Sequence, residues 1–279
     1  MKNILVPINF SEVSEAAFRF ALDLARKSKG KIFVLHALDY PILYDPISYP
    51  EASMEVQREI GVYEKEEALV KYKNIETRFC NSSDQVEFVG EFGDPIESIT
   101  ESAIKYECDL IVMGARQVKG LEEFFFGSHS GKMVSQSHIP TLFIKNYFDP
   151  SLIKTIIFPN SLEIPQDDLV VRIKGLQEFF NAELKVLYIN TPYSFRSDKD
   201  TYDALHKFAD YYNLHNYTLH VFGDRDEESG IANFRASFTN ALIAMSTHGR
   251  IGLHAFLDGS IAKNLVDHFD YPIWTILKK

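Results

Sequence analysis

The sequence predicts an α/β fold made of two tandem doubly wound domains, each a five-stranded parallel sheet flanked by helices. Three observations predict it. Short apolar runs alternate with segments of helical period, the pattern of strand–helix–strand units with parallel strands. The phrase from Asp109 to Gly131, DLIVMGARQVKGLEEFFFGSHSG, returns as ALIAMSTHGRIGLHAFLDGS from Ala241 to Ser260, with Met113/Met245, Gly120/Gly252 and Gly127/Gly259 each 132 residues apart. Lys2–Pro7 (KNILVP) likewise returns as Lys154–Pro159 (KTIIFP), at an offset of 152. Self-similarity of this kind marks a duplicated unit.

In the first copy, Asn3 to Ile8 reads as a buried strand ended by Pro7. Ser11 or Ser14 offers an N-cap, with Glu12 and Glu15 suited to the positive end of a helix. Ala17, Phe18, Ala21, Leu22, Leu24 and Ala25 have helical spacing, and Gly30 suits the stop. Lys31 to Ala37 is the second strand. Tyr40 to Pro50, rich in proline and tyrosine, reads as an extended loop, and Ser53 to Lys73 as a helix. Gln85 to Val89 alternates as a strand. Gly93-Asp94-Pro95 opens a helix reaching about Tyr106, Leu110 to Met113 is the fourth strand, Ser128 begins the last helix, and Pro140 to Lys145 is the fifth strand. Five strands and four helices in this order make a doubly wound domain.

The second copy follows a linker at Asn146 to Leu152. Val186-Leu187-Tyr188 repeats Val34-Leu35-His36 at the offset of 152, whereas later landmarks are offset by 132. The second copy is thus about 20 residues shorter in its middle, where the first carries the Tyr/Pro loop and the start of the next helix. The domains are expected at 1–146 and 152–279.

Composition narrows the function. With 46% hydrophobic and 24% charged residues the chain is of folded type. Its net charge of −10 argues against nucleic acid as a partner. No run of about 18 apolar residues is present, so no membrane span is expected. The opening MKNILVPINFSE lacks the features of a signal peptide. Two cysteines, Cys80 and Cys108, are too few for a disulfide framework, and the expected location is the cytoplasm.

A doubly wound sheet places ligands beyond the carboxyl ends of its strands, where strand order reverses. The first and fourth strands flank that crevice, so Pro7, Ile8 and Asn9 face Met113, Gly114 and Arg116, with Ala37 at the end of the second strand. Gly127-Ser128 lies at a helix N-terminus, whose free N–H groups can hold a phosphate. These residues together read as a mononucleotide site. The counterparts in the second copy are His248, Gly249, Arg250, Gly259 and Ser260. Each piece also has a structural reading, Gly114 as a tight turn and Ser128 and Ser260 as helix caps. Neither a P-loop lysine motif nor GxGxxG is present. The histidines show no metal spacing, and Ser128, His129 and His138 lack an acid to complete a triad. No catalytic machinery is visible, so enzymatic activity is not expected.

With these residues in view, the sequence resembles a tandem member of the universal stress protein family. ILVPINFSE resembles the family's first strand and loop, with Asn9 at the place of its aspartate. The phrase after the fourth strand resembles its pattern of glycine, two residues, glycine, nine residues, glycine and serine. In the first copy Gly114, Gly127 and Ser128 match, and Gln117 replaces the middle glycine. In the second Gly249, Gly259 and Ser260 match, Ser246 replaces the first glycine, Ser161 stands at the aspartate's place, and Asp258 precedes Gly259. The resemblance implies a Rossmann-like fold and ATP or another adenine nucleotide as ligand, with or without Mg²⁺, in one or both halves. The first copy is favoured because it keeps the glycine straight after its fourth strand. A nucleotide-free interaction protein with degenerate sites is the alternative. The resemblance further implies an intramolecular pseudo-dimer through residues 140–145 and 272–279. It is compatible with a homodimer and names no other protein partner.

Overall fold

Ile4, Leu5 and Val6 are fully buried because the strand they form, β1 (Asn3–Pro7), is covered on both faces. Consecutive β-branched and leucine residues suit that position, where alternation is not needed. The structure, a computed structural model, describes residues 1–38, 50–115, 132–134, 137–248, 259–268 and 270–278. The chain divides into two compact units, Met1–Gly114 and Ala115–Lys279.

In the first unit β1 lies parallel between β2 (Lys31–Leu38) and β4 (Leu110–Gly114), with Ile4 level with Ile32 on one side and Leu110 on the other. β3 (Gln85–Phe92) continues the parallel sheet beyond β2, giving the order β3-β2-β1-β4. Helix α1 (Glu12–Ser28) starts where Ser11 accepts a bond from the Ser14 N–H, a cap worth about 0.5–2 kcal/mol. It buries Ala17, Phe18, Ala21, Leu22 and Leu24 against the sheet; a fully buried Phe or Leu contributes roughly 1.5–3 kcal/mol. The left-handed residue ending α1 is Lys29 (φ 54°), not the expected Gly30. Gly30 has another reason: a Cβ there would stand 2.8 Å from the Lys2 carbonyl oxygen. Helix α2 (Pro50–Phe79) starts at Pro50, a residue suited to the first turn, and is longer than its periodicity predicts. The Tyr/Pro loop before it, residues 39–49, lies outside the described residues. Helix α3 (Pro95–Lys105) is capped by Asp94, which accepts from the Ile96 and Glu97 N–H groups.

The second unit runs β5 (Thr141–Ile144), a 3-10 turn (Pro150–Leu152), β6 (Thr155–Pro159), α4 (Asp167–Phe180), β7 (Glu183–Asn190), α5 (Asp198–Tyr211), β8 (Tyr217–Gly223), α6 (Glu227–Ala236), β9 (Ala241–His248), α7 (Gly259–His268) and β10 (Ile273–Lys278). Its strand order is β5-β10-β9-β6-β7-β8. β6 to β10 are mutually parallel, and β5 alone runs antiparallel, with Phe143 opposite Ile273 and Leu142 opposite Trp274. The last strands of the two sequence repeats therefore pair, as expected. The compact units divide at Gly114, whereas the sequence repeat divides at 146–152, so β5 falls in the same unit as its partner β10. The shortening of the second copy is located too. The helix after the second strand has 30 residues in α2 and 14 in α5.

Candidate functional site

The carboxyl ends of β1, β2 and β4 meet in the first unit, bringing together Pro7, Ile8, Asn9, Ala37, Met113 and Gly114. The Ile8 N–H donates to the Leu35 carbonyl, and the Ile8 carbonyl lies 2.7 Å from His36 Nδ1. His36 also packs on Phe10, their ring centroids 4.6 Å apart. These contacts fix the loop after β1 to the end of β2. Ile8 and Met113 have buried side chains, so only their backbone is available to a ligand; Asn9 is exposed, and Pro7, Ala37 and Gly114 are half-buried.

Asn9 has a structural task. Its Oδ1 accepts from the Ser11 hydroxyl (2.6 Å) and the Ser11 N–H (3.2 Å), so the carboxamide shapes the turn into α1. Gly114 is explained by packing as well. A Cβ there would lie 2.9 Å from the Val13 carbonyl oxygen and 3.0 Å from the Ser14 nitrogen, in the first turn of α1. The sequence showed the glycine but not the neighbour that requires it. Arg116, Gly127 and Ser128, the expected phosphate-binding part, lie outside the described residues.

The second unit is built differently at the matching place. His248 ends β9 and Gly259-Ser260 open α7, while Gly249 and Arg250 lie outside the described residues. After β6, Asn160 and Gln166 are both buried and clasp each other, Asn160 Nδ2 to Gln166 Oε1 at 2.8 Å and Gln166 Nε2 to Asn160 Oδ1 at 3.1 Å. The Leu162 N–H also donates to Asn160 Oδ1 (2.6 Å), and the Gln166 N–H donates to the Tyr212 hydroxyl. Nothing in the sequence announces this clasp, because two amides six residues apart in a loop have no periodic signature.

Its effect is to delay the helix. α1 begins five residues after Pro7, whereas α4 begins eight residues after Pro159. Ser246, the counterpart of Gly114, therefore borders a cleft of about 490 Å³ lined by His138, Gln166, Asp168, Leu169, Arg172 and Ile276, among others. The described residues contain no group of three His, Cys, Asp or Glu side chains able to hold a metal ion. No helix among them is long and apolar enough to cross a membrane.

A parallel sheet wound in both directions, with its crevice at the ends of β1 and β4, defines a doubly wound α/β protein. The universal stress protein family model matches residues 1–145, and the chain belongs to the universal stress protein family. Universal stress protein MJ0531 of Methanocaldococcus jannaschii is 30% identical over 147 residues, which are 52% of this chain and 82% of the relative. Universal stress protein YxiE of Bacillus subtilis is 28% identical over 148 residues, 51% of this chain and 97% of the relative. The crystal structure of a universal stress protein from Archaeoglobus fulgidus matches with a TM-score of 0.70, covering 99% of this chain and 98% of that one. At 18% identity it speaks to the fold alone. A putative universal stress protein from Pseudomonas aeruginosa matches at a TM-score of 0.61 and 15% identity, covering 99% of this chain and 93% of that one.

Proposed function

We propose that this stress-response protein binds an adenine nucleotide in its first half, at the carboxyl ends of β1, β2 and β4, and acts as a sensor or regulator. The observation that carries the reading is the meeting of Pro7–Asn9, Ala37 and Met113–Gly114 at one end of the sheet, with the glycine phrase starting directly after β4. In this reading the backbone of Ile8 and Met113 and the exposed Asn9 border the base and sugar, and Gly127 and Ser128 offer N–H groups to the phosphates. Arg116 adds a cation, and any Mg²⁺ arrives with the phosphates. The halves 1–146 and 152–279 are the units of duplication, and the protein works in a reducing cytoplasm, alone or as a homodimer.

Calorimetric titration of the full chain with ATP, ADP and AMP tests the reading. Saturable heat at one site per chain, removed by Gly127→Asp, is expected. No heat and no thermal shift at millimolar nucleotide would refute it.

A second reading, an interaction protein without nucleotide, has its own observations. Val13 already fills the space beside Gly114, Ser11 already satisfies Asn9 Oδ1, and the Asn160–Gln166 clasp reshapes the second half. Native mass spectrometry separates the two readings: a co-purified nucleotide sinks the second.

A further inference from the structure

The cleft beside Ser246 has no use in the nucleotide reading, and its make-up points to a ligand of a different kind. Ser246 is 5% exposed, lines the cleft, and its hydroxyl has no hydrogen-bond partner among the described residues. The hydroxyl is not sealed from solvent, so it can meet water or a ligand that enters the cleft.

Three further features converge there. Helix α4 has 14 residues and its N-cap is Gln166, whose side chain makes no cap bond because it is engaged with Asn160 and the Glu163 carbonyl. The N–H groups of its first turn therefore stand without a side-chain acceptor at the positive end of the helix. Arg172, one turn into α4, has no ion-pair partner among the described residues, and His138 lines the same cleft. All of these groups can donate. The rest of the wall is the Gln166 amide, the Asp167 and Asp168 carboxylates and an apolar part made by Pro165, Leu169, Ile276 and Leu277.

Asp167 and Asp168 set the limit on charge. Two carboxylates in the first turn of α4 repel a multiply charged anion most strongly, and Arg172 and the helix end oppose their charge only in part. We infer that this cleft binds a small organic monocarboxylate, its carboxylate on the α4 N–H groups, the Ser246 hydroxyl and Arg172, its apolar body against Leu169, Ile276 and Leu277. Among the described residues the first half shows no counterpart: α1 starts earlier and its first turn presses against Gly114.

The test compares hexanoate, hexylamine, hexan-1-ol and inorganic phosphate by calorimetry and by chemical-shift mapping of the full chain. Hexanoate is expected to saturate one site and to shift resonances of Ser246 and Leu169. The amine, the alcohol and phosphate are expected not to saturate. Ser246→Ala should weaken hexanoate by about tenfold or more, the usual effect of losing a hydrogen bond to a charged group. Arg172→Gln should weaken it and flatten its salt dependence. Ser246→Leu should fill the cleft and abolish binding; Ser246→Ala serves where that variant does not fold. Absence of saturable hexanoate binding, equal binding of hexylamine or hexanol, binding of phosphate in its place, or unchanged affinity in Ser246→Ala would each overturn the assignment. Hexanoate binding is read on the second half and nucleotide binding on the first, so failure of either leaves the other standing.

Discussion

Replacing Gly114 by alanine separates a glycine kept for packing from a glycine kept for a phosphate. The added Cβ would meet the Val13 carbonyl oxygen at 2.9 Å and the Ser14 nitrogen at 3.0 Å, both backbone atoms of the first turn of α1. Backbone cannot rotate away as a side chain would, so α1 must shift from β4. Overpacking of this kind costs roughly 1–3 kcal/mol. Gly175 provides the control. It lies within α4, and a Cβ there meets no atom within 4 Å. Gly175→Ala should therefore raise stability by about 0.4–1 kcal/mol, through the unfolded chain and helix propensity. In thermal unfolding a change of 1 kcal/mol moves Tm by roughly 2–4 °C for domains of about 150–250 residues. Far-UV circular dichroism melts of Gly114→Ala and Gly175→Ala should thus move in opposite directions, and nucleotide titration of both should be run in parallel. A Gly114→Ala variant as stable as the parent but unable to bind nucleotide would refute the packing argument and assign the glycine to the ligand.

Other outcomes follow from the same structure. Asn160→Ala and Gln166→Ala each leave a buried amide without its partner and should cost about 1–3 kcal/mol in urea unfolding, with the double variant costing less than the sum of the two. The bond from Arg26 to Asp84 holds the Asp84 carboxyl below its usual value. Its contribution is present above the ordinary carboxylate range and is lost as pH falls through the lowered folded value, so Asp84→Asn should flatten stability against pH in acid. Burial moves His220 the other way for a base, lowering its pKa from 6.5, with Lys185 adding to the effect. The unfolded chain then takes up the proton first as pH falls below about 6.5, which lowers stability; His220→Gln should remove that slope in melts between pH 7 and 5. Burial pushes the Cys80 thiol up to about 11 and the Cys108 thiol up to about 12. Neither should react at pH 8 with a thiol reagent until the chain unfolds.

Much of the fold was legible because strand and helix periods leave their mark residue by residue. Ile4-Leu5-Val6 and Ile156-Ile157-Phe158 announced the two first strands, and Asp94-Pro95 announced the start of α3. The candidate site was legible only in part. Its place followed from the topology, since ligands in such sheets lie beyond the strand ends, and the glycine phrase marked which loop to watch. The neighbours could not be read. That Val13 presses on Gly114, that Ser11 holds Asn9, and that Lys29 rather than Gly30 turns the end of α1 are contacts between residues with no shared period.

By itself the sequence determined that one α/β unit is written twice and that the second copy is shorter after its second strand. These are properties of patterning and repetition, carried by each segment alone. Tertiary structure decided that the compact units divide at Gly114 and that β5 pairs antiparallel with β10. It decided also that position 114 must be glycine while position 246 can be serine. The same fold presses a helix start against one strand end and, through the Asn160–Gln166 clasp, withdraws it from the other. Such differences depend on a few ångströms between segments far apart in the chain, and only packing fixes those distances.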